Sequence, residues 1–267
     1  MKEGIHDLIK LRELDKTLPL YEEFHSGNEK SFDAAKVIED IKNYEALNPN
    51  GRGVPILADF QKLSALYIGE EVEKHFGYKR EELMSMGSHS IFKLLSLEHI
   101  GFPLRALTWA KMLNKYKDKK QKDHICYMCG MKFKNKKREL IRGFFELREL
   151  STFENGNPHL VLIIATDVSH LVKGNFYWGY YQFGPEQAFT RFLDSKLLTK
   201  PRAEVFTTRE MDVLRCLYKG MSSKEIGDGL FISTGTVEKH RKNMISRIGA
   251  KDTTALLELG RMMDLKK

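Results

Sequence analysis

The stretch "TVEKHRKN" (Thr236–Asn243) places Glu238, Lys239, Arg241 and Lys242 within five consecutive positions. Lys and Arg pair with O6 and N7 of guanine, and a carboxylate accepts from the amino group of cytosine. Glu238 is ambiguous, because its charge would also repel phosphate. Fourteen residues upstream, "SSK" supplies Ser222, Ser223 and Lys224, and Thr236 adds another hydroxyl. Hydroxyls, cations and helix N-termini are the groups that hold phosphates. Long cationic side chains thus suit base edges, and Ser222, Ser223, Lys224 and Thr236 suit phosphates, with double-stranded DNA as the expected partner.

Other chemistry is poorly supplied. There is no nucleophile–base pair, no phosphate-binding glycine loop and no metal cluster, so no catalytic residues and no enzyme activity are expected. Cys126 and Cys129 form a lone CxxC. A structural zinc needs about four ligands, and a strand puts residues three apart on opposite faces. His75, His89 and His99 are each read as surface or capping residues rather than haem ligands. No cofactor and no metal are expected. An odd total of three cysteines argues against a disulfide framework.

The polar cluster must be held by helices, and their punctuation is visible. Thr207 and Glu210 have the spacing of a capping box, as do Ser222 and Glu225. Met211, Val213, Leu214, Leu217 and Tyr218 repeat at helical spacing, and Gly220 is placed to end that helix. Ile226, Leu230 and Phe231 are expected to form the buried face of the second helix. Ser233 is the expected N-cap of a third, whose Val237, Met244, Ile245 and Ile248 face inward. "KDTTALLELGRMM" predicts a fourth. A short second helix, a turn and a polar third helix suit the major groove of DNA.

From Phe206 to Ala250 the chain reads "FTTREMDVLRCLYKGMSSKEIGDGLFISTGTVEKHRKNMISRIGA". It resembles the LuxR-type helix-turn-helix pattern "LTxRExxVLxxxxxGxSxKEIAxxLxISxxTVxxHxxNIxxKL" almost without gaps. Gly227 and Gly229 depart from it, at a helix-propensity cost of roughly 1 kcal/mol each. Met244 and Arg247 replace the usual Ile and Lys. The resemblance implies a four-helix domain that binds DNA as a homodimer, with the fourth helix at the dimer contact. It places base reading at Glu238, Lys239 and Lys242, with Arg241 nearby, and a packing role at His240.

The upstream two hundred residues have another texture. "VPILADF" and "SALYIGE" read as paired strands, and "EEVEKHFGY", "KREELMSM", "HSIFKLLSLEHI" and about 102–116 as helices. Three strand-like runs follow, "HICYMCGMKFKN", "ELIRGFFELRELSTF" and "HLVLIIATDV", separated by "KNKKR" and "ENGNP". Two strands, several helices and three strands predict an α+β unit: an antiparallel sheet with helices. Residues 53–172 are similar to a PAS domain, whose opening "fGY..eEL" and closing "tDiT" are matched by "HFGYKREEL" and Thr166–Ser169. Neither the acidic and lysine set of a phosphorylated receiver nor the constellation of an autoinducer domain is found. The cysteine-containing flavin motif of light-sensing PAS domains is missing too.

The expected organisation is a helical extension (1–52), a PAS-like sensor and dimerisation domain (53–172), an aromatic-rich connector (173–201) and the four-helix domain (202–267). Within the connector, "NFYWGYYQF" is expected to pack or form a dimer surface, and "PEQAFTRFLDSKLL" to be helical. The basic runs near Lys111–His124 and Lys132–Arg138 read as a solvated helix end and a hairpin tip. The sensor would take an unidentified small molecule or a partner. The alternative is a ligand-free dimerisation scaffold. The formal net charge of +8 suits a polyanion. No apolar run reaches the roughly 18–20 residues of a membrane span, and the charged N-terminus lacks a signal-peptide core, so a cytoplasmic protein without membrane partners is expected.

Overall fold

The computed structural model describes residues 33–47, 53–60, 62, 64–87, 124–153, 158–183, 186–193, 196–197 and 202–265. Helix α1 spans Ala34–Leu47, β1 Val54–Asp59, β2 Ser64–Ile68, α2 Val72–Phe76 and α3 Arg80–Ser85. The strands β3 (His124–Lys134), β4 (Leu140–Thr152) and β5 (Pro158–Asp167) follow. The expected helices "HSIFKLLSLEHI" and 102–116 lie outside the described residues, as do His89 and His99.

All described strands join one antiparallel sheet in the order β2-β1-β5-β4-β3-β6-β7-β8. Its first five strands are the expected pair and triplet. The hairpin between β3 and β4 turns at "KNKKR", where the Arg138 amide donates to the Asn135 carbonyl at 2.9 Å. The last three strands overturn the expected helix. Residues read as a connector form β6 (Tyr177–Phe183), β7 (Glu186–Leu193) and β8 (Lys196–Leu197). Strand β6 pairs with β3 (Cys126↔Tyr181, Cys129↔Trp178) and β7 with β6 (Tyr180↔Phe189). The edge of the aromatic strand β6 captures the next segment, and pairing overrides a weak helical pattern.

The sheet alternates two apolar faces. One carries Met128, Met131, Phe133, Phe145, Ile163 and Tyr177, and its β1 end is covered by α2 and α3 through Val72 and Leu83. The other is shared. Over β1, β2 and β5, α1 packs Val37, Ile38 and Ile41 against Leu57, Tyr67 and Leu162, so this part of the N-terminal extension is a helical layer. Over β3, β4, β6 and β7, Tyr127, Cys129, Phe144, Trp178, Tyr180 and Phe189 form one continuous core with the C-terminal helices. Cys126 and Cys129 thus lie on opposite faces, and burial pushes both thiols up, away from the thiolate form.

Four C-terminal helices complete the fold: α4 (Thr208–Tyr218), α5 (Ser223–Leu230), α6 (Thr234–Ile248) and α7 (Thr253–Met262). Both expected capping boxes are present, at Thr207/Glu210 and Ser222/Glu225. Ser233 and Asp252 cap α6 and α7. Val213, Leu214, Leu217, Ile226, Val237, Met244, Ile248, Leu256 and Leu259 close the core. No helix among the described residues is long and apolar enough to cross a membrane.

Candidate nucleic-acid interface

The joint between α5 and α6 is set by local chemistry. Phe231 adopts the left-handed conformation (φ 54°) that ends α5, and the Ile232 amide returns to the Gly227 carbonyl at 3.0 Å. Arg209 of α4 donates to the Leu230 carbonyl, placing a cation at the end of α5. Phe231 was expected in the core but is 94% exposed. The left-handed turn carries its side chain away from the face built by Ile226.

Gly227 is buried, and a Cβ there would meet the Ile232 carbonyl oxygen at 2.7 Å. The close turn, not helix propensity, explains that glycine. Gly229 meets only the Met221 methyl at 4.0 Å. Gly229→Ala is therefore expected to stabilise the chain by up to about 1 kcal/mol, whereas Gly227→Ala destabilises it. Urea unfolding of the two variants checks this pair, and equal effects would contradict it.

The predicted contact residues separate into two groups. Lys239 and Lys242 are exposed on α6 and meet no carboxylate among the described residues. Glu238 and Arg241 are half-buried and tied together: Arg241 donates to Glu238 at 2.5 Å, and Ser223 donates to the same carboxylate. That carboxylate links the first turn of α5 to α6, so Ser223, Glu238 and Arg241 also hold the two helices in register. Ser222 accepts the Glu225 amide at 3.3 Å as a cap and retains its own proton for donation. Lys224 is exposed, and Thr236 shares a hydrogen bond with Ser233 at 2.9 Å. His240 is half-buried on α6.

Two further residues position α6, and sequence reading missed their roles. Arg247 donates twice to Glu210, which is 3% exposed, and once to the Val205 carbonyl at 3.1 Å. Burial pushes the Glu210 carboxyl up. The bonds from Arg247 and the Thr207 amide outweigh this and hold it below the usual range. Trp178 of β6 donates its indole N–H to the Ile248 carbonyl at 2.8 Å. That carbonyl belongs to the last turn of α6, which has no intrahelical donor. Gly249 continues in the left-handed region (φ 69°), and a Cβ there would meet the Lys173 carbonyl oxygen at 2.9 Å. Two backbone bonds clamp this end: Lys173 N–H to Gly249 O at 2.7 Å and Lys251 N–H to Leu171 O at 2.8 Å. The sheet therefore grips the C-terminal end of α6 directly.

Residues 204–259 match the family described as bacterial regulatory proteins, luxR family (GerE). Fimbriae Z protein of Escherichia coli K12 is 30% identical over 86 residues, which are 32% of this chain and 41% of that protein. Oxygen regulatory protein NreC of Staphylococcus aureus JH9 is 34% identical over 55 residues, 21% of this chain and 25% of the relative. The chain spans less than half the length of these curated relatives. A solved structure of VqmA bound to DPO is 15% identical with a TM-score of 0.31, covering 86% of this chain and 89% of that one. A PAS domain from a two-component sensor histidine kinase is 14% identical with a TM-score of 0.33, covering 49% of this chain and 98% of that one. The capped α4–α7 unit with its exposed Lys239 and Lys242 is thus the part of the chain that is similar to the luxR family of bacterial regulatory proteins, and it follows an antiparallel sheet.

Proposed function

We propose that the chain is a sequence-specific, DNA-binding transcriptional regulator whose PAS-like sheet senses a ligand or partner and passes its state to α6. The observation that carries this reading is the pair of exposed lysines, Lys239 and Lys242, which meet no carboxylate among the described residues, on a helix capped and held in register with α5. In this reading α6 enters the major groove. Lys239 and Lys242 read base edges, with Glu238 and Arg241 beside them, and Ser222, Ser223, Lys224 and Thr236 face phosphates. The protein acts as a cytoplasmic homodimer through α7, and it is not an enzyme.

The shared core supports the regulatory part. A ligand or partner that shifts β3 or β6 moves Trp178, and with it the end of α6. No linker needs to transmit the change, because the sheet itself touches the reading helix.

Each good base-directed cation is worth about 1–3 kcal/mol of discrimination. Lys239→Ala with Lys242→Ala is expected to lower affinity for the preferred site by about 10²-fold or more, while leaving the unfolding midpoint nearly unchanged. Equilibrium binding at one fixed salt concentration tests this, because phosphate contacts make affinity salt-dependent. Unchanged affinity with a folded variant would remove α6 as the reading element.

A further inference from the structure

We propose that the joint between β7 and α6 is a binding site for a phosphate-class oxyanion. A cleft of about 200 Å³ lies there, lined by Phe189, Arg191, Arg202, Asn243, Ser246 and Arg247. Its walls come from both halves of the molecule. Arg191 stands on β7, Arg202 is joined to β7 by a backbone bridge to Phe189, and the other polar groups stand on α6.

The charges do not cancel. Arg247 is neutralised by Glu210, but Arg191 and Arg202 meet no carboxylate among the described residues. The Arg191 guanidinium lies 3.7 Å from the centroid of the Phe176 ring, which fixes its plane. Its Nε is buried with no hydrogen-bond partner among the described residues. A buried donor without a partner costs about 1–3 kcal/mol, and the fork of a guanidinium matches a tetrahedral oxyanion in two places. Burial and the neighbouring Arg247 charge hold Arg191 below its usual range, a repulsion that an anion relieves. Asn243 and Ser246 add neutral donors.

Size narrows the ligand. The cleft admits several waters at roughly 30 Å³ each, but falls short of the roughly 300 Å³ that begins the range for drug-sized ligands. A phosphate group fits that description. It could be a free phosphate-bearing anion or a phosphate of the DNA backbone. The second source rests on the DNA-binding reading, since Ser246 follows Lys242 by about one turn of α6.

The test uses the full chain, with inorganic phosphate as probe against chloride at equal ionic strength. Phosphate stabilises proteins generally, so the readout is the difference between wild type and Arg191→Gln or Arg202→Gln. The wild type is expected to gain several degrees in midpoint over the variants. Arg202 is exposed, so its variant keeps the test open if Arg191→Gln unfolds. DNA binding is then measured against salt. If the source is the DNA backbone, the variants lose affinity and the salt slope falls by about 0.9. If it is a free anion, their DNA affinity in chloride stays at the wild-type value. Equal phosphate shifts in all three proteins, with DNA affinity and slope unchanged, would overturn the site. A phosphate response lost in Arg202→Gln, beside normal DNA binding by the Lys239/Lys242 double variant, would instead sink the α6 reading and leave this site standing.

Discussion

Arg247→Ala is expected to destabilise the C-terminal domain by about 3–5 kcal/mol, the cost of leaving one partner of a buried ion pair alone. Glu210 is 3% exposed and sits in the capping box of α4, so it can neither reach water nor leave without breaking the cap. The pH dependence separates this cause from lost packing. In the wild type the Glu210 carboxyl is held below the usual range. The folded state thus binds fewer protons than the unfolded one near the ordinary Glu value of about 4.3. This contribution to stability is fully present above that value and is lost as pH falls through the lower folded one. In Arg247→Ala, burial without a cation raises the folded value instead. The folded variant then binds more protons than the unfolded chain, so stability rises as the solution is acidified from pH 7 toward 5. Urea unfolding at both pH values reads the difference. A loss below about 1 kcal/mol, or no gain on acidification, would mean that the pair is not what anchors α6 to α4.

The second large effect is at Trp178. Its side chain is 1% exposed, edge-on to Phe144 at 6.2 Å and tilted against Phe189 at 5.8 Å. Trp178→Ala is expected to cost about 3–5 kcal/mol from the cavity alone. The informative variant is Trp178→Phe. It keeps an aromatic ring but removes the N–H, leaving the Ile248 carbonyl without its buried donor at about 1–3 kcal/mol. If Trp178 is the link from sheet to reading helix, amide exchange at Lys173 and Lys251, the two donors across the joint, speeds up in Trp178→Phe. Unchanged exchange at those two amides would place the coupling elsewhere.

What the sequence made legible follows the range of the interactions. The caps of α4, α5 and α6 were readable because each is settled within four residues: a hydroxyl and an apolar stripe, with a carboxylate three positions on in α4 and α5. Strands β1 to β5 were readable from alternation and turns. The strand β7 was not. Its apolar positions suit either period, and only the edge of β6 decides between them. Phe231 was misplaced because a left-handed residue leaves the helical wheel that assigned it a face. Lys239 and Lys242 are exposed on α6, whereas Glu238 and Arg241 are partly used within the protein, through a hydroxyl on another helix. Trp178 gave a composition signal, in an aromatic run, but its acceptor lies 70 residues away.

The central claim is that α6 reads DNA sequence. The most direct measurement is a binding selection from random duplexes at one fixed salt concentration, with the full chain beside its Lys239→Ala/Lys242→Ala variant. The account predicts that the full chain enriches a two-fold symmetric site and that the double variant, folded to the same degree, does not. Enrichment of the same site by the variant, or no sequence preference in the full chain, would contradict it.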